Sequence, residues 1–142
     1  MDTHIHYVQT GIIAAFGSQL IDWLNHYTFV EEQRFSDPAY AWQVAESFCD
    51  ELLPNGTATA LTSCAVYPES VDALFKAASA RNMRMAAGKV LMDRNAPDAL
   101  LDTAQSVTRT PRCRWNAGTA RDATSTPPHH DSRCDDPHPT HG

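Results

Sequence analysis

Residues 57–93 read TATALTSCAVYPESVDALFKAASARNMRMAAGKVLMD. The first piece, TATALTSCAV (57–66), is short, apolar and partly β-branched, which suits a buried strand. The second, PESVDALFKAASARN (68–82), opens on a proline fit for a first helical turn. It carries Val71, Leu74, Phe75 and Ala78 at i, i+3, i+4 and i+7. The third, MRMAAGKVLMD (83–93), is strand-like again. Helices alternating with short buried strands predict a parallel sheet.

Upstream, SDPAYAWQVAESFCDELLPNG (36–56) predicts another helix. Ser36 or Asp37 can cap it, and Pro38 suits its first turn. Trp42, Ala45, Cys49 and Leu52 form a stripe at helical spacing, and Asn55-Gly56 tolerates the positive φ that ends a helix. SQLIDWLNH (18–26) predicts a shorter helix with Ser18 as cap and Leu20, Ile21 and Leu24 on one face. The order is strand end, helix, helix, strand, helix, strand. A parallel sheet needs cover on both faces. With about two full strands and the end of a third, the α/β pattern predicts a slice of a larger structure, with apolar faces left open.

Composition divides the chain near Thr103. Residues 1–102 hold six Lys/Arg against thirteen Asp/Glu, and residues 103–142 hold five Arg against four Asp. The second segment has no Leu, Ile, Met, Phe or Tyr, but five of the nine prolines and four of the seven histidines. Such a segment buries too little apolar area to offset chain entropy. The expected organisation is an ordered unit over 1–105 and a disordered tail over 106–142. The formal charge of -6 gives no electrostatic reason to expect nucleic acid or an anionic membrane as partner. Cys49, Cys64, Cys113 and Cys134 form no C-x-x-C pair. With no signal peptide, transit peptide or membrane-length apolar run, reduced thiols in a cytoplasmic protein are expected.

The chain opens MDTHIHYVQ (1–9). On a strand, His4 and His6 point to one face because the side-chain period is two, so both imidazoles can reach one metal. A catalytic zinc commonly has three protein ligands and a water. A bare H-x-H is therefore half a site at most, and more often nothing.

DTHIH followed by Gln9 resembles the first-strand motif of the amidohydrolase superfamily, metal hydrolases on (β/α)8 barrels. DWLNHYTF (22–29), NGTATA (55–60) and GKVLMDRN (88–95) narrow the resemblance to its guanine deaminases, in order and spacing over residues 2–105. The resemblance implies a fold: the first strands and helices of an incomplete (β/α)8 barrel. It implies hydrolytic deamination of guanine to xanthine and ammonia, one Zn2+ per complete site, and homodimeric relatives. It implies that His4 and His6 are zinc ligands and that Gln9 hydrogen-bonds the guanine ring. Trp23, Tyr27 and Phe29 lie in matching segments and are read as packing residues. Lys89 and Asp93 fall at or near a strand's C-terminal end, where barrels build active sites, but are read as structural or solvated.

The other metal ligands, the proton-shuttling glutamate and a guanine-clamping arginine of the family have no counterpart here. No catalytic residue is therefore assigned, zinc is expected to bind weakly or not at all, and the chain alone is expected to be inactive. The tail histidines His129, His130, His138 and His141, with Cys134, match no zinc-module spacing. The tail reads better as a shifted reading frame. Re-reading the codons permitted after Ser106 with one base missing gives a string that resembles the family's continuation. Met1, where the family has valine, is explained by a GTG start. Two readings stand beside this one: a deaminase of another heterocycle, and a small non-enzymatic interaction protein.

Overall fold

Asp37 starts the longest helix as its sequence requires. Its backbone is extended (φ -88°, ψ 115°), and its carboxylate accepts the Ala39 N–H while Pro38 fills the first turn. The computed structural model describes residues 1–17 and 19–102 and the backbone of 114–116. In chain order these hold β1 (Asp2–His6), a 3-10 turn (Tyr7–Ile12), α1 (Leu20–Trp23), α2 (Phe29–Gln33), α3 (Pro38–Leu52), β2 (Thr59–Cys64), α4 (Pro68–Ala80), β3 (Arg84–Lys89), a 3-10 turn (Asp98–Leu100) and β4 (Arg114–Asn116).

The sheet order is β1-β2-β3-β4. The first three strands are parallel, with Ile5 beside Thr62 and His6 beside Ser63, then Thr62 beside Ala87 and Ser63 beside Gly88. The α/β pattern with a parallel sheet is thus present. β2 alternates: Ala60, Thr62 and Cys64 are buried while Leu61 is 49% exposed. Among the described residues the sheet is therefore covered on one face only, by α3 and α4, and His6, Ser63 and Gly88 share a row across the other, open face.

The core lies between sheet and helices. Tyr7 is fully buried, with Phe35 edge-on at 5.4 Å and Phe48 at 5.7 Å, and its hydroxyl donates to the Ser70 carbonyl at 2.5 Å. Leu74, Met83 and Met85 fill the α4 side. Each fully buried side chain of this size contributes roughly 1.5–3 kcal/mol. Arg81 ties α4 to α3 through Asp50, at 2.6 and 2.8 Å. Asn82, just past α4, takes φ +54°, and Gly56 takes φ +78° in the turn after α3, as the Asn55-Gly56 pair predicts. Among the described residues no helix is long and apolar enough to cross a membrane.

Expectations for two helices are corrected. Leu20 and Ile21 do not face the core: they are 68% and 66% exposed. The inward face of this helical stretch is Thr28, Glu31, Glu32 and Phe35, and residues Leu24–Thr28 between α1 and α2 wind as a π-helix, which rotates α2 relative to α1. No side chain caps α1, whose cap position is Gln19, and Ser18 lies outside the described residues. On α3 the buried stripe is Ala41, Ala45, Phe48 and Cys49; Trp42 sits about 100° away from Ala41 and stays partly exposed. Within the tail, Arg114–Asn116 form β4, antiparallel to β3, with Ala86 beside Trp115. It occupies a strand edge that would otherwise present unpaired backbone groups. The rest of the tail, 103–113 and 117–142, lies outside the described residues, as does the reading-frame expectation.

Ile13, Phe16, Leu20 and Ile21 form an exposed apolar run, with Phe16 at 90% and Ile13 at 76%. The isolated chain is expected to self-associate at micromolar concentration. Replacing Phe16 and Ile21 by serine should move it toward the monomer in size-exclusion chromatography while leaving far-UV circular dichroism unchanged. An unaltered elution volume would place the associating surface elsewhere.

Candidate metal and ligand site

β1 is an edge strand, and the two histidines stand at its C-terminal end. Alternation puts both rings on the same side, where their Nε2 atoms face each other at 3.2 Å, with ring centroids 5.0 Å apart. Two ligands on a tetrahedral ion at about 2.05 Å are separated by about 3.3 Å. The pair therefore already spans one edge of such a site, and its donor set suits a divalent metal. The Asp2 carboxylate accepts the His4 N–H at 3.0 Å and fixes the backbone between them. Burial, and then the neighbouring His4, hold the His6 pKa below its ordinary value, favouring the neutral, ligating form. His6 Nδ1 is buried with no hydrogen-bond partner among the described residues. A ligating histidine ordinarily donates its second ring N–H to an acceptor that orients it.

The chain after His6 is pinned at once. Tyr7 and Val8 are fully buried, and the Thr10 hydroxyl donates to the Tyr7 carbonyl at 2.6 Å. Gln9 is thereby turned out of the core, half-buried, beside the histidine pair. α2 backs this turn: a Cβ on Gly11 would lie 2.6 Å from Glu31 Oε1. Glu31 is held in place by the Tyr40 hydroxyl and by Arg34 at 3.0 Å, whose guanidinium lies 3.9 Å above the Tyr40 ring. Burial and this hydrogen bond to Glu31 push the Tyr40 hydroxyl up to about 12.

His4, His6 and Gln9 line one open cleft of about 830 Å³ together with Trp23 and with Phe48 and Glu51 of α3. Two metal-binding nitrogens and an amide with both donors and an acceptor thus meet an apolar wall, a combination suited to a flat polar heterocycle. Among the described residues no group of three or more His, Cys, Asp or Glu side chains could hold a metal.

Of the other residues singled out in the sequence, Trp23 reaches the cleft, Phe29 is half-buried and Tyr27 is 37% exposed. Asp93 is exposed beside Arg94, 3.4 Å away. Lys89 is buried and paired with Asp102 at 2.9 Å. Cys49 and Cys64 are free and buried, and burial raises both thiol pKa values. The tail histidines, Cys113 and Cys134 lie outside the described residues. Sequence reading missed Phe48 and Glu51 as cleft walls and Glu31 as the support of the Gln9 turn. An acid three residues before Arg34 on a helix was the one available sign of the latter.

Comparison with known proteins gives consistent matches. The model of the amidohydrolase family matches residues 1–131. The chain is 58% identical over 106 residues to the guanine deaminase of Escherichia coli (strain K12), covering 75% of this chain and 24% of that protein. The solved structure of E. coli guanine deaminase superposes with a TM-score of 0.72 at 57% identity, over 76% of this chain and 25% of that one. A guanine deaminase from C. acetobutylicum, solved with guanine bound in its active site, superposes with a TM-score of 0.70 at 31% identity, over 75% and 26%. The chain spans about a quarter of the length of the curated relatives it matches.

Proposed function

Since this chain belongs to the amidohydrolase family, we propose that residues 1–102 form the opening strands and helices of a (β/α)8 barrel that deaminates guanine. In this reading the covered sheet face is the outside of the barrel and the open face its interior. The reaction is guanine plus water to xanthine plus ammonia. His4 and His6 hold a zinc ion together with ligands from outside the described residues. When bound, the metal supplies Lewis acidity that makes water a nucleophile near neutral pH. Gln9 uses its amide to pair with the ring edge of guanine and so orients the amino-bearing carbon. Trp23, which reaches the cleft, excludes water from one flat face of the base.

The observation that carries this reading is the 3.2 Å Nε2 pair at the end of β1 with Gln9 in the same cleft. The similarity of the chain to guanine deaminases supports the choice of substrate.

The test is a graft. Residues 1–102, placed in the corresponding segment of the E. coli relative, should give an enzyme that releases xanthine and ammonia from guanine. A chelator should silence it and zinc restore it. The 142-residue chain alone, with two ligands among its described residues, should show no turnover. A graft that folds and binds zinc but leaves guanine intact would overturn the reading.

A further inference from the structure

Lys89 ends β3, and its register partner Cys64 is fully buried on the covered face of the sheet. Its side chain is 3% exposed and meets the Asp102 carboxylate, 9% exposed, at 2.9 Å. This pair closes the segment 90–101 into a loop. Three further contacts set the loop's course. The Asp102 N–H donates to the Met92 carbonyl at 2.7 Å, the Tyr67 hydroxyl donates to the Ala99 carbonyl at 2.7 Å, and Leu100 is fully buried. The closed loop thereby presents the Asp98–Leu100 turn to α2, against which it packs. α2 in turn packs on the Tyr7–Ile12 turn that carries Gln9, with Glu31 seated against Gly11. A contiguous path of packed groups runs from the buried ion pair to the residue that reads the ring.

We propose that Lys89 is a positioning residue for Gln9, acting through Asp102, the Asp98–Leu100 turn and α2. The pair is nearly inaccessible to water, so replacing Lys89 removes the cation that ties Asp102 to the end of β3, and replacing Asp102 leaves the Lys89 charge buried; either change loosens the closure of the loop. Once open, the loop no longer supports α2, and the Gln9 turn loses its backing. Lys89 touches neither substrate nor metal in this scheme. Its effect on the reaction rests on the reading of Gln9 as the guanine contact.

Two measurements test this. In the 142-residue chain, Lys89→Met and the milder Asp102→Asn should speed amide hydrogen exchange in 90–101, in α2 and at Gln9–Gly11, and leave Ala60–Cys64 of β2 unchanged. Acceleration confined to 90–101, or spread evenly through the sheet, would overturn the proposal. In the grafted enzyme, Lys89→Met should lower kcat/KM for guanine by several-fold and by no more than the roughly tenfold that deleting the Gln9 hydrogen bonds costs, mostly through KM, and Lys89→Arg should restore part of it. With Gln9 already replaced by alanine, Lys89→Met should cost little more. An undiminished effect there would show that Lys89 acts elsewhere. Should Gln9→Ala itself leave KM unchanged, the substrate reading fails, while the exchange measurement still decides whether the ion pair supports the turn.

Discussion

In the grafted enzyme, His6→Ala should remove guanine deamination altogether, while Gln9→Ala should leave a slower but zinc-dependent enzyme. The two residues are three apart in sequence and share a cleft, yet their chemistry differs. In the proposed site His6 supplies one of the two nitrogens, 3.2 Å apart, that would span an edge of the metal's coordination. Its loss leaves β1 with one ligand, His4, in place of two. Since losing a mere outer-sphere partner of a metal costs roughly 10–100-fold, losing a direct ligand should exceed that and reduce bound zinc to match. Gln9 contributes no ligand. Truncating it would remove the proposed hydrogen bonds to the ring, made before and during reaction alike, which raises KM more than it lowers kcat. One Gln-to-Ala change removes hydrogen bonds worth roughly 0.5–1.5 kcal/mol each, so a loss of about tenfold in kcat/KM is expected. Zinc content by mass spectrometry and initial rates of xanthine release separate the cases. Equal zinc in wild-type and His6→Ala grafts would remove His6 from the metal site.

The parts of this fold that could be read from sequence were those governed by local rules. Asp37-Pro38 announced α3, the i, i+3, i+4, i+7 spacing of Val71, Leu74, Phe75 and Ala78 announced α4, and the two short runs around α4 became parallel neighbours. The unread parts depend on what packs against what. Leu20 and Ile21 make a plausible apolar face, but nothing among the described residues covers them. Glu31 and Glu32, which the sequence reading did not single out, are buried on the inward face of α2, just after the π-helical turn. The convergence of His4 and His6 followed from strand alternation alone. The support beneath Gln9 did not, since Glu31, Tyr40 and Arg34 meet only after α2 and α3 have packed. Lys89 was read as structural or solvated; it is buried against Asp102 and not solvated, and no sequence rule names a partner thirteen residues away.

Glu32 makes a second large effect measurable without any substrate. It sits on the inward face of α2, 3% exposed, and its Oε2 is buried with no hydrogen-bond partner among the described residues. Burial disfavours the charged carboxylate and raises its pKa from 4.5 to about 7. The unfolded chain loses this proton near the ordinary value, while the folded chain keeps it until about pH 7. Between those limits the folded state binds more protons, so stability falls as pH rises, and it levels off above about pH 7. The full span amounts to at most about 3 kcal/mol. Glu32→Gln keeps the shape of the protonated acid and has nothing to ionise. Relative to wild type it should be near neutral at pH 4 and stabilising by up to about 3 kcal/mol at pH 8. Urea unfolding of the 142-residue chain, followed by circular dichroism at both pH values and below the concentration at which it associates, provides the comparison. If both proteins lose the same stability between pH 4 and 8, Glu32 is ionised in the fold and its carboxylate has found a cation or water that stabilises the charge.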